Sequence, residues 1–214
     1  MMKVNEWKEF LRKWEEETIS LLIDAEKAGF IFSESYGLIL EVRRSEAQSF
    51  PGAEQDEIQE LENRIGKRLP DSYKNFLKAS NGWKQLAVDI DNTLINPAWK
   101  VGWYRDIDKE GYEILSRLSR ESSTVPDSEY FLYGELLDWD ISLREPDVKN
   151  LLVLSDHCDS ADYFMNANVI DANGEWEAII FLWEEGMIRY HSFAELMIGE
   201  KTRTLNNLRE VLEL

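Results

Sequence analysis

The side chains that can ligate a metal are most concentrated in one short stretch, Asp156-His157-Cys158-Asp159, with Asp162 three residues later. A structural zinc site takes four ligands, and these normally come from two separated pairs of residues. Here the histidine and the cysteine are adjacent, and adjacent side chains diverge on most backbones. We therefore expect a solvated loop in this stretch and neither a metal nor another cofactor.

A second arrangement with catalytic potential is His191 beside Ser192, the residue types of a nucleophile and its base. Ser192 and Glu195, however, have the spacing of a capping box, in which the serine hydroxyl begins a helix. The capping role explains the serine, so we expect no triad chemistry here.

A third pattern implies more specific chemistry. The apolar segment 86–88 runs into Asp89-x-Asp91-x-Thr93, which resembles the first motif of the haloacid dehalogenase-like phosphotransferases. The resemblance implies that Asp89 would attack a phosphate and that Asp91 would act as general acid and base. A magnesium ion would screen the repulsion between the two carboxylates.

The surrounding chain argues against this enzyme. Members of that family need a parallel sheet built from βα units and a helix directly after the motif, but Asn96-Pro97-Ala98-Trp99 opens no helix. Lys149 is the only lysine near a later apolar segment, and it precedes that segment instead of opening a separate helix upstream of it. We keep the phosphatase as an alternative and favour a strand that ends in a polar turn.

The charge of the chain is strongly acidic and unevenly distributed. Forty-two Asp and Glu against 24 Lys and Arg give a net charge of −18. Residues 121–195 contain 17 acidic and three basic residues, a net charge of −14. Proteins that bind nucleic acids need clustered Lys and Arg to displace counterions, so we expect no nucleic-acid partner. A macromolecular partner should be basic, although an acidic composition also serves solubility alone.

Length and composition indicate a globular protein in a reducing compartment. The 214 residues include a single cysteine, Cys158, which cannot form an internal disulfide. The longest apolar run is the six residues 178–183, far short of the ~20 that span a bilayer. The N-terminus alternates charged and apolar residues and lacks the apolar core of a signal peptide. We expect a cytoplasmic protein with no membrane partner.

The hydrophobic periodicity predicts helices around a central sheet. Apolar residues three and four apart predict helices over about 5–28 and 109–120, and two C-terminal helices, one ending near Ile198 and the other beginning near Leu205. Between them lie short segments rich in β-branched and aromatic residues, which we expect to be strands of one antiparallel sheet. These segments are 86–90, 130–133, 151–154, 163–165, 178–183 and 187–190. The fold class should be α+β.

Residues 54–82 carry the strongest local signal. Apolar residues at helical spacing from Ile58 to Ile65 predict one helix, with Gly66 as its end. Pro70 fits the first turn of a second helix, and Asn81-Gly82 fits its end. The two helices should form a short hairpin.

This hairpin resembles the opening of the SMI1/KNR4 family, also called the SUKH superfamily. The resemblance rests on Ile58, Leu61, Glu62, Ile65, Gly66, Leu69, Pro70, Tyr73, Phe76, Leu77, Asn81 and Gly82. Three later segments follow in the family's order, namely Leu151-Leu152-Val153-Leu154-Ser155, Asp162-Tyr163 and Ser192-Phe193-Ala194-Glu195-Leu196. The similarity covers roughly residues 54–200.

The resemblance implies a protein-binding module without enzymatic activity, built on one antiparallel-rich sheet flanked by helices. It gives Leu69, Pro70, Tyr73, Phe76, Leu77, Asn81 and Gly82 as structural motif residues. Bacterial members are commonly immunity proteins that neutralise toxins, many of them nucleases, and fungal members are regulatory hubs. We therefore predict an immunity protein, with a housekeeping interaction module as a further alternative.

Two parts of the chain have no counterpart in a minimal family domain. Residues 1–52 should form a helical extension that packs on a main domain, residues 53–214, because no Gly/Ser linker separates them. The stretch from about 96 to 127 is longer than usual. Both are candidates for determining specificity.

Tryptophans are frequent in or beside the acidic half, at positions 99, 103, 139, 176 and 183. Most should fill the core, but an exposed tryptophan among carboxylates would suit the capture of a basic protein. The predicted partner is a cognate, basic protein toxin, and the oligomeric state is left open. The predicted partner-binding residues are Asp138, Trp139, Asp140, Asp159, Asp162, Glu184 and Glu185.

Overall fold

The computed structural model describes residues 1–29, 50–84, 93–122, 125–138, 143–156, 161–183 and 185–212. Within these ranges the helices are α1 Val4–Lys27, α2 Gln55–Ile65, α3 Asp71–Ala79, α4 Tyr104–Ile107, α5 Lys109–Ser122, α6 Asp127–Tyr130, α7 Glu145–Val148 and α8 Phe193–Val211. None of these helices combines the length and the apolar character that spanning a bilayer requires. The strands are β1 Trp83–Lys84, β2 Thr93–Ile95, β3 Gly102–Trp103, β4 Leu136–Leu137, β5 Leu151–Val153, β6 Ala161–Ile170, β7 Trp176–Leu182 and β8 Gly186–Tyr190.

Six strands form one antiparallel sheet in the order β3-β5-β6-β7-β8-β4, and β1 and β2 pair separately. Every pairing between the described strands is antiparallel. The long central pair β6–β7 runs from Ala161 opposite Leu182 to Ile170 opposite Trp176, and Gly174 takes a positive φ of 80° in its turn. The predicted α+β class, with one sheet flanked by helices, is confirmed.

The six-stranded sheet is buried on both faces. Along β7, Ala178, Ile180 and Leu182 belong to one apolar core, whereas Ile179 and Phe181 belong to the other. Residues of α1, α2, α3 and α8 complete the first core, and residues of α4, α5 and α7 complete the second. Many antiparallel sheets leave one face to water. Burial of both faces explains why this strand reads as a continuous apolar run.

Helix α1 packs on the helical hairpin through large aromatic residues. Trp7 and Trp14 are 0% and 1% exposed. The Trp7 ring lies 5.3 Å from that of Phe76 and 5.7 Å from that of Phe193, and its Nε1 donates to the Ser72 carbonyl at 3.1 Å. The helix is therefore part of the first core. The division into an extension, residues 1–52, and a main domain, residues 53–214, stays a prediction.

The predicted hairpin is present as α2 and α3. Gly66 ends α2 in the left-handed conformation, with φ of 68°. Pro70 is the N-cap of α3, one residue earlier than the expected first-turn position. A carboxylate from the β6–β7 turn completes this helix end, because the backbone N–H of Ser72 donates to Glu175 at 3.2 Å and its hydroxyl donates to the same side chain. A buried carboxylate at the positive end of a helix is stabilising.

The last two residues of the hairpin motif hold the chain that follows β2. The backbone N–H of Ala98 donates to the Asn81 side-chain oxygen at 2.8 Å. Gly82 has a φ of 105°, and a Cβ there would lie 3.0 Å from the Ile95 carbonyl oxygen. These two positions therefore fix the loop after β2 against the hairpin.

The prediction of a strand at residues 130–133 is wrong. Residues 130–133 were expected to be extended, but Asp127–Tyr130 form the short helix α6, and the nearest strand is Leu136–Leu137. Pro126 precedes this helix, and Asp127 and Glu129 lie near its positive end, which favours a helical turn. The buried Tyr130 hydroxyl donates to Asp147, which is part of a polar network.

The prediction of two C-terminal helices is also wrong, since α8 is continuous from Phe193 to Val211. Gly199 lies inside it without ending it. A Cβ at position 199 would collide with the ring of Tyr190, so this glycine allows the last strand to pack closely on the helix. The predicted strand at 86–90 lies outside the described residues.

Replacing Trp7 with alanine should lower the free energy of unfolding by about 3 to 5 kcal/mol, because it empties a fully buried indole site. Urea denaturation followed by circular dichroism measures this change. Lys8→Ala is the matched control, since Lys8 is exposed on the same helix, and its effect should stay within about 0.5 kcal/mol. Equal stability of the Trp7→Ala variant and the natural protein would contradict the packing of α1 on the hairpin.

Alanine substitutions at two glycines of the hairpin separate the cost of backbone strain from the cost of a steric clash. Both Gly66 and Gly82 have positive φ, but a Cβ at position 66 has no neighbour within 4 Å. Gly66→Ala should cost about 1 kcal/mol of unfolding free energy from backbone strain alone. Gly82→Ala should cost about 2 to 3 kcal/mol, because the new methyl group also presses on the Ile95 carbonyl. Equal losses in chemical denaturation would show that the contact at Gly82 carries no energy.

Candidate functional site

The antiparallel register brings six strand ends together at one end of the sheet. The strands β3, β6 and β8 begin there, and β5, β7 and β4 end there. Five strand intervals of about 4.8 Å make this end roughly 24 Å long. We call it the carboxylate rim and define it, in the order of the strands, by Trp99, Lys100, Asp156, Asp162, Trp183, Glu185 and Asp138.

Two of the predicted partner-binding residues lie side by side on this rim. Asp138 and Glu185 are both exposed. They are neighbours because β4 pairs with β8, and a Cβ on Gly186 would lie 3.4 Å from the Asp138 Cα. Four other predicted residues, Trp139, Asp140, Asp159 and Glu184, lie outside the described residues.

Asp162 does not present its carboxylate to a partner. It is 2% exposed, because it lies inside β6, opposite Phe181 in β7. Its Oδ2 accepts a hydrogen bond from the Trp183 indole nitrogen at 2.8 Å. The prediction of Asp162 as a contact residue is therefore corrected: this side chain holds the half-buried Trp183 in place.

Burial and carboxylates near the rim together raise the pKa of a tyrosine, Tyr104. Burial raises the pKa of the Tyr104 phenol, and the nearby negative charges of Asp108 and Asp162 raise it further. A phenol that is buried beside carboxylates keeps its proton.

Sequence analysis missed Trp99 as a site residue. Its side chain is 66% exposed, whereas Trp103 and Trp176 are buried. Two signals pointed to it: its place in the stretch 96–127, which is longer than expected for the family, and its place among the tryptophans beside the acidic half. Composition could not distinguish it from the core tryptophans, since only the tertiary packing decides which indole is covered.

Asp156, which we considered as a metal-capable residue, forms an ion pair. Both of its oxygens accept hydrogen bonds from the Lys100 ammonium, at 3.0 and 2.8 Å. Across the described part of the chain, no three side chains of His, Cys, Asp or Glu are grouped to hold a metal ion. His157, Cys158, Asp159 and the two carboxylates of the phosphatase alternative, Asp89 and Asp91, lie outside that part.

The opposite end of the sheet carries a different feature, an open hollow of about 410 Å³. Two guanidinium groups flank the Tyr130 ring beside it, those of Arg144 and Arg189, each 4.0 Å from the ring centroid. The hollow is lined by Phe131, Arg144, Pro146, Asp147, Asn168, Val169 and Ile170.

The two arginines at this opposite end are paired within the protein. Arg189 is fully buried and donates to both oxygens of Glu177 at 2.8 Å. Arg144 pairs with Asp127 at 2.7 Å. Ion pairs of this kind organise the fold and engage both arginines, whereas the rim presents two exposed carboxylates side by side. The rim is therefore the better candidate for a functional surface.

Comparison with known proteins identifies the family to which this fold belongs. A model of the SMI1/KNR4 family (SUKH-1) matches residues 52–210, which include the hairpin, the six-stranded sheet and most of α8. A search of curated proteins and a search of solved structures found no match. The match spans well over half of the chain, and the hairpin motif that suggested it folds as the two expected helices. The chain belongs to the SMI1/KNR4 (SUKH-1) family.

Proposed function

We propose that this protein is an immunity protein that binds a basic protein toxin through the carboxylate rim and blocks it stoichiometrically. One observation carries the proposal: the strand register makes two exposed carboxylates, Asp138 and Glu185, neighbours at the rim end of the sheet. Family membership supports a protein-binding module of the immunity type. The lone cysteine supports a cytoplasmic site of action.

The proposed mechanism is electrostatic capture followed by occlusion. A nuclease toxin holds phosphate groups in a basic groove, and a rim of carboxylates can cover the same groove. Opposite charges on the two proteins raise the rate of encounter, and close packing then slows dissociation. The rim would act by covering the toxin, so no bond of any substrate is broken.

The form of the sheet favours binding over catalysis. The phosphatase alternative needs a parallel sheet fed by βα units, whereas all pairings between the described strands are antiparallel. A housekeeping interaction module would share the scaffold, and the experiment below separates it from an immunity protein.

Co-expression with the protein encoded next to this one in its genome tests the proposal. We expect that this neighbour stops growth when expressed alone and that the present protein restores growth. The two purified proteins should then form a complex of fixed stoichiometry. A neighbour that is harmless, or that still kills in the presence of this protein, would contradict the immunity function.

The rim itself is tested by removing two charges. The double variant Asp138→Asn/Glu185→Gln should slow association with the toxin by about five- to tenfold at low salt, because it weakens electrostatic steering. The matched control is Glu60→Gln/Glu113→Gln, which removes the same charge from two exposed helical positions. Stopped-flow measurements at rising ionic strength should show a falling rate for the natural protein. An association rate that does not change with ionic strength would exclude the rim as the steering surface. Equal association rates for the two double variants would exclude it as well.

A further inference from the structure

One corner of the carboxylate rim carries an exposed tryptophan in a fixed position. Of the seven tryptophans that the structure describes, five are buried, Trp183 is half-buried and Trp99 is 66% exposed. Exposure of a large indole costs hydrophobic free energy, and tryptophan is enriched among the residues that dominate protein interfaces.

The loop that carries Trp99 is held from the hairpin. Arg64 donates through Nη2 to the carbonyl oxygens of Ala98 and Val101, at 2.6 and 2.8 Å. The Ala98 N–H donates to Asn81, and the Lys100 N–H closes a turn on the Pro97 carbonyl at 2.9 Å. A side chain on a preorganised loop loses less conformational entropy when a partner binds.

An internal cation already occupies the corner. The Lys100 ammonium contacts both oxygens of Asp156, at 2.8 and 3.0 Å, and lies 5.7 Å from the Trp99 ring centroid. The carboxylate and the indole therefore form a site with two features that suit a cation, negative charge and an aromatic face. The lysine and aspartate side chains are 38% and 35% exposed, and an ion pair with such exposure is held weakly.

An arginine suits this site better than the lysine does. Its planar guanidinium can stack on the indole while its fork of N–H groups meets the two oxygens of Asp156. The compact ammonium of a lysine bonds as a point charge and does not stack. A basic protein that reaches the rim would present such arginines.

We propose that Trp99 and Asp156 form a receptor for an arginine side chain of the basic partner and that Lys100 occupies it when no partner is bound. The proposal rests on the carboxylate rim being the partner-binding surface. It names the side chain that the partner inserts and the internal group that this side chain displaces.

Fluorescein-labelled octa-arginine and octa-lysine peptides are suitable probes, with binding followed by fluorescence anisotropy at low salt. The natural protein should bind octa-arginine more tightly than octa-lysine. Trp99→Ala should weaken octa-arginine binding by about three- to fivefold and weaken octa-lysine binding clearly less, because only the guanidinium stacks on the indole. Ile170→Ala is the matched control, because Ile170 is 52% exposed at the opposite end of the sheet, and it should leave both affinities unchanged.

A second variant should act in the opposite direction. Lys100→Met removes the internal competitor, so it should tighten octa-arginine binding by about threefold or more, and Asp156→Asn should weaken it. Lys149→Met is the control for charge, because it frees Glu145 at the opposite end of the sheet and changes the net charge equally. A gain for Lys100→Met that exceeds the gain for Lys149→Met supports the receptor.

Three results would overturn the proposal. They are no binding of either peptide to the natural protein, equal octa-arginine affinity after Trp99→Ala, and equal gains from Lys100→Met and Lys149→Met. Failure of the immunity function is a different result. If the protein prefers octa-arginine through Trp99 but does not restore growth, the receptor proposal stands and the immunity proposal fails. Conversely, a protective protein whose Trp99→Ala variant binds octa-arginine normally loses only the receptor.

Discussion

Burial of both faces of the six-stranded sheet is the constraint on which the proposed binding surface depends. The side chains of β5, β6 and β7 alternate between two apolar cores, and helices cover both. Neither face of the sheet can therefore serve as a binding surface without unpacking helices. The ends of the strands escape this constraint, because the chain turns there and its polar residues meet water. The carboxylate rim is the strand end at which the exposed side chains of Asp138 and Glu185 come together.

The hairpin motif of the family supports this rim from a distance. Asn81 and Gly82 hold the loop after β2, and Arg64 holds the carbonyl groups on either side of Trp99. These contacts are made to backbone atoms, so they fix the path of the loop without dictating its side chains. A scaffold of this design can keep its motif while the residues on the rim change. Such a separation suits the proposed function, in which the rim would recognise one particular partner.

The fold was predictable where burial is periodic, and the site was predictable only where charge is dense. Helices α1 and α2 and strands β5 to β8 follow from their apolar spacing, and the hairpin motif gave the family. The prediction of Tyr130 as a strand residue failed because a polar network with Asp147 holds it, which hydrophobicity does not register. Asp162 was misplaced because the strand register buries it, and Trp99 was missed because exposure of an indole depends on packing between distant segments. Asp138 and Glu185 are neighbours because β4 pairs with β8, and no local sequence pattern predicts that pairing.

The basic residues of the acidic stretch lie away from the rim. The acidic stretch 121–195 contains three bases, and each is paired within that stretch: Arg189 with Glu177, Arg144 with Asp127 and Lys149 with Glu145. These pairs place the three bases beside Glu177, Asp127 and Glu145. At the corner of Trp99 the cations come from elsewhere in the sequence, and both Lys100 and Arg64 are engaged by oxygen atoms there. In the proposed function, charge along the rim would attract a basic protein over a long range, and the proposed receptor of Trp99 and Asp156 would then favour an arginine over a lysine at contact.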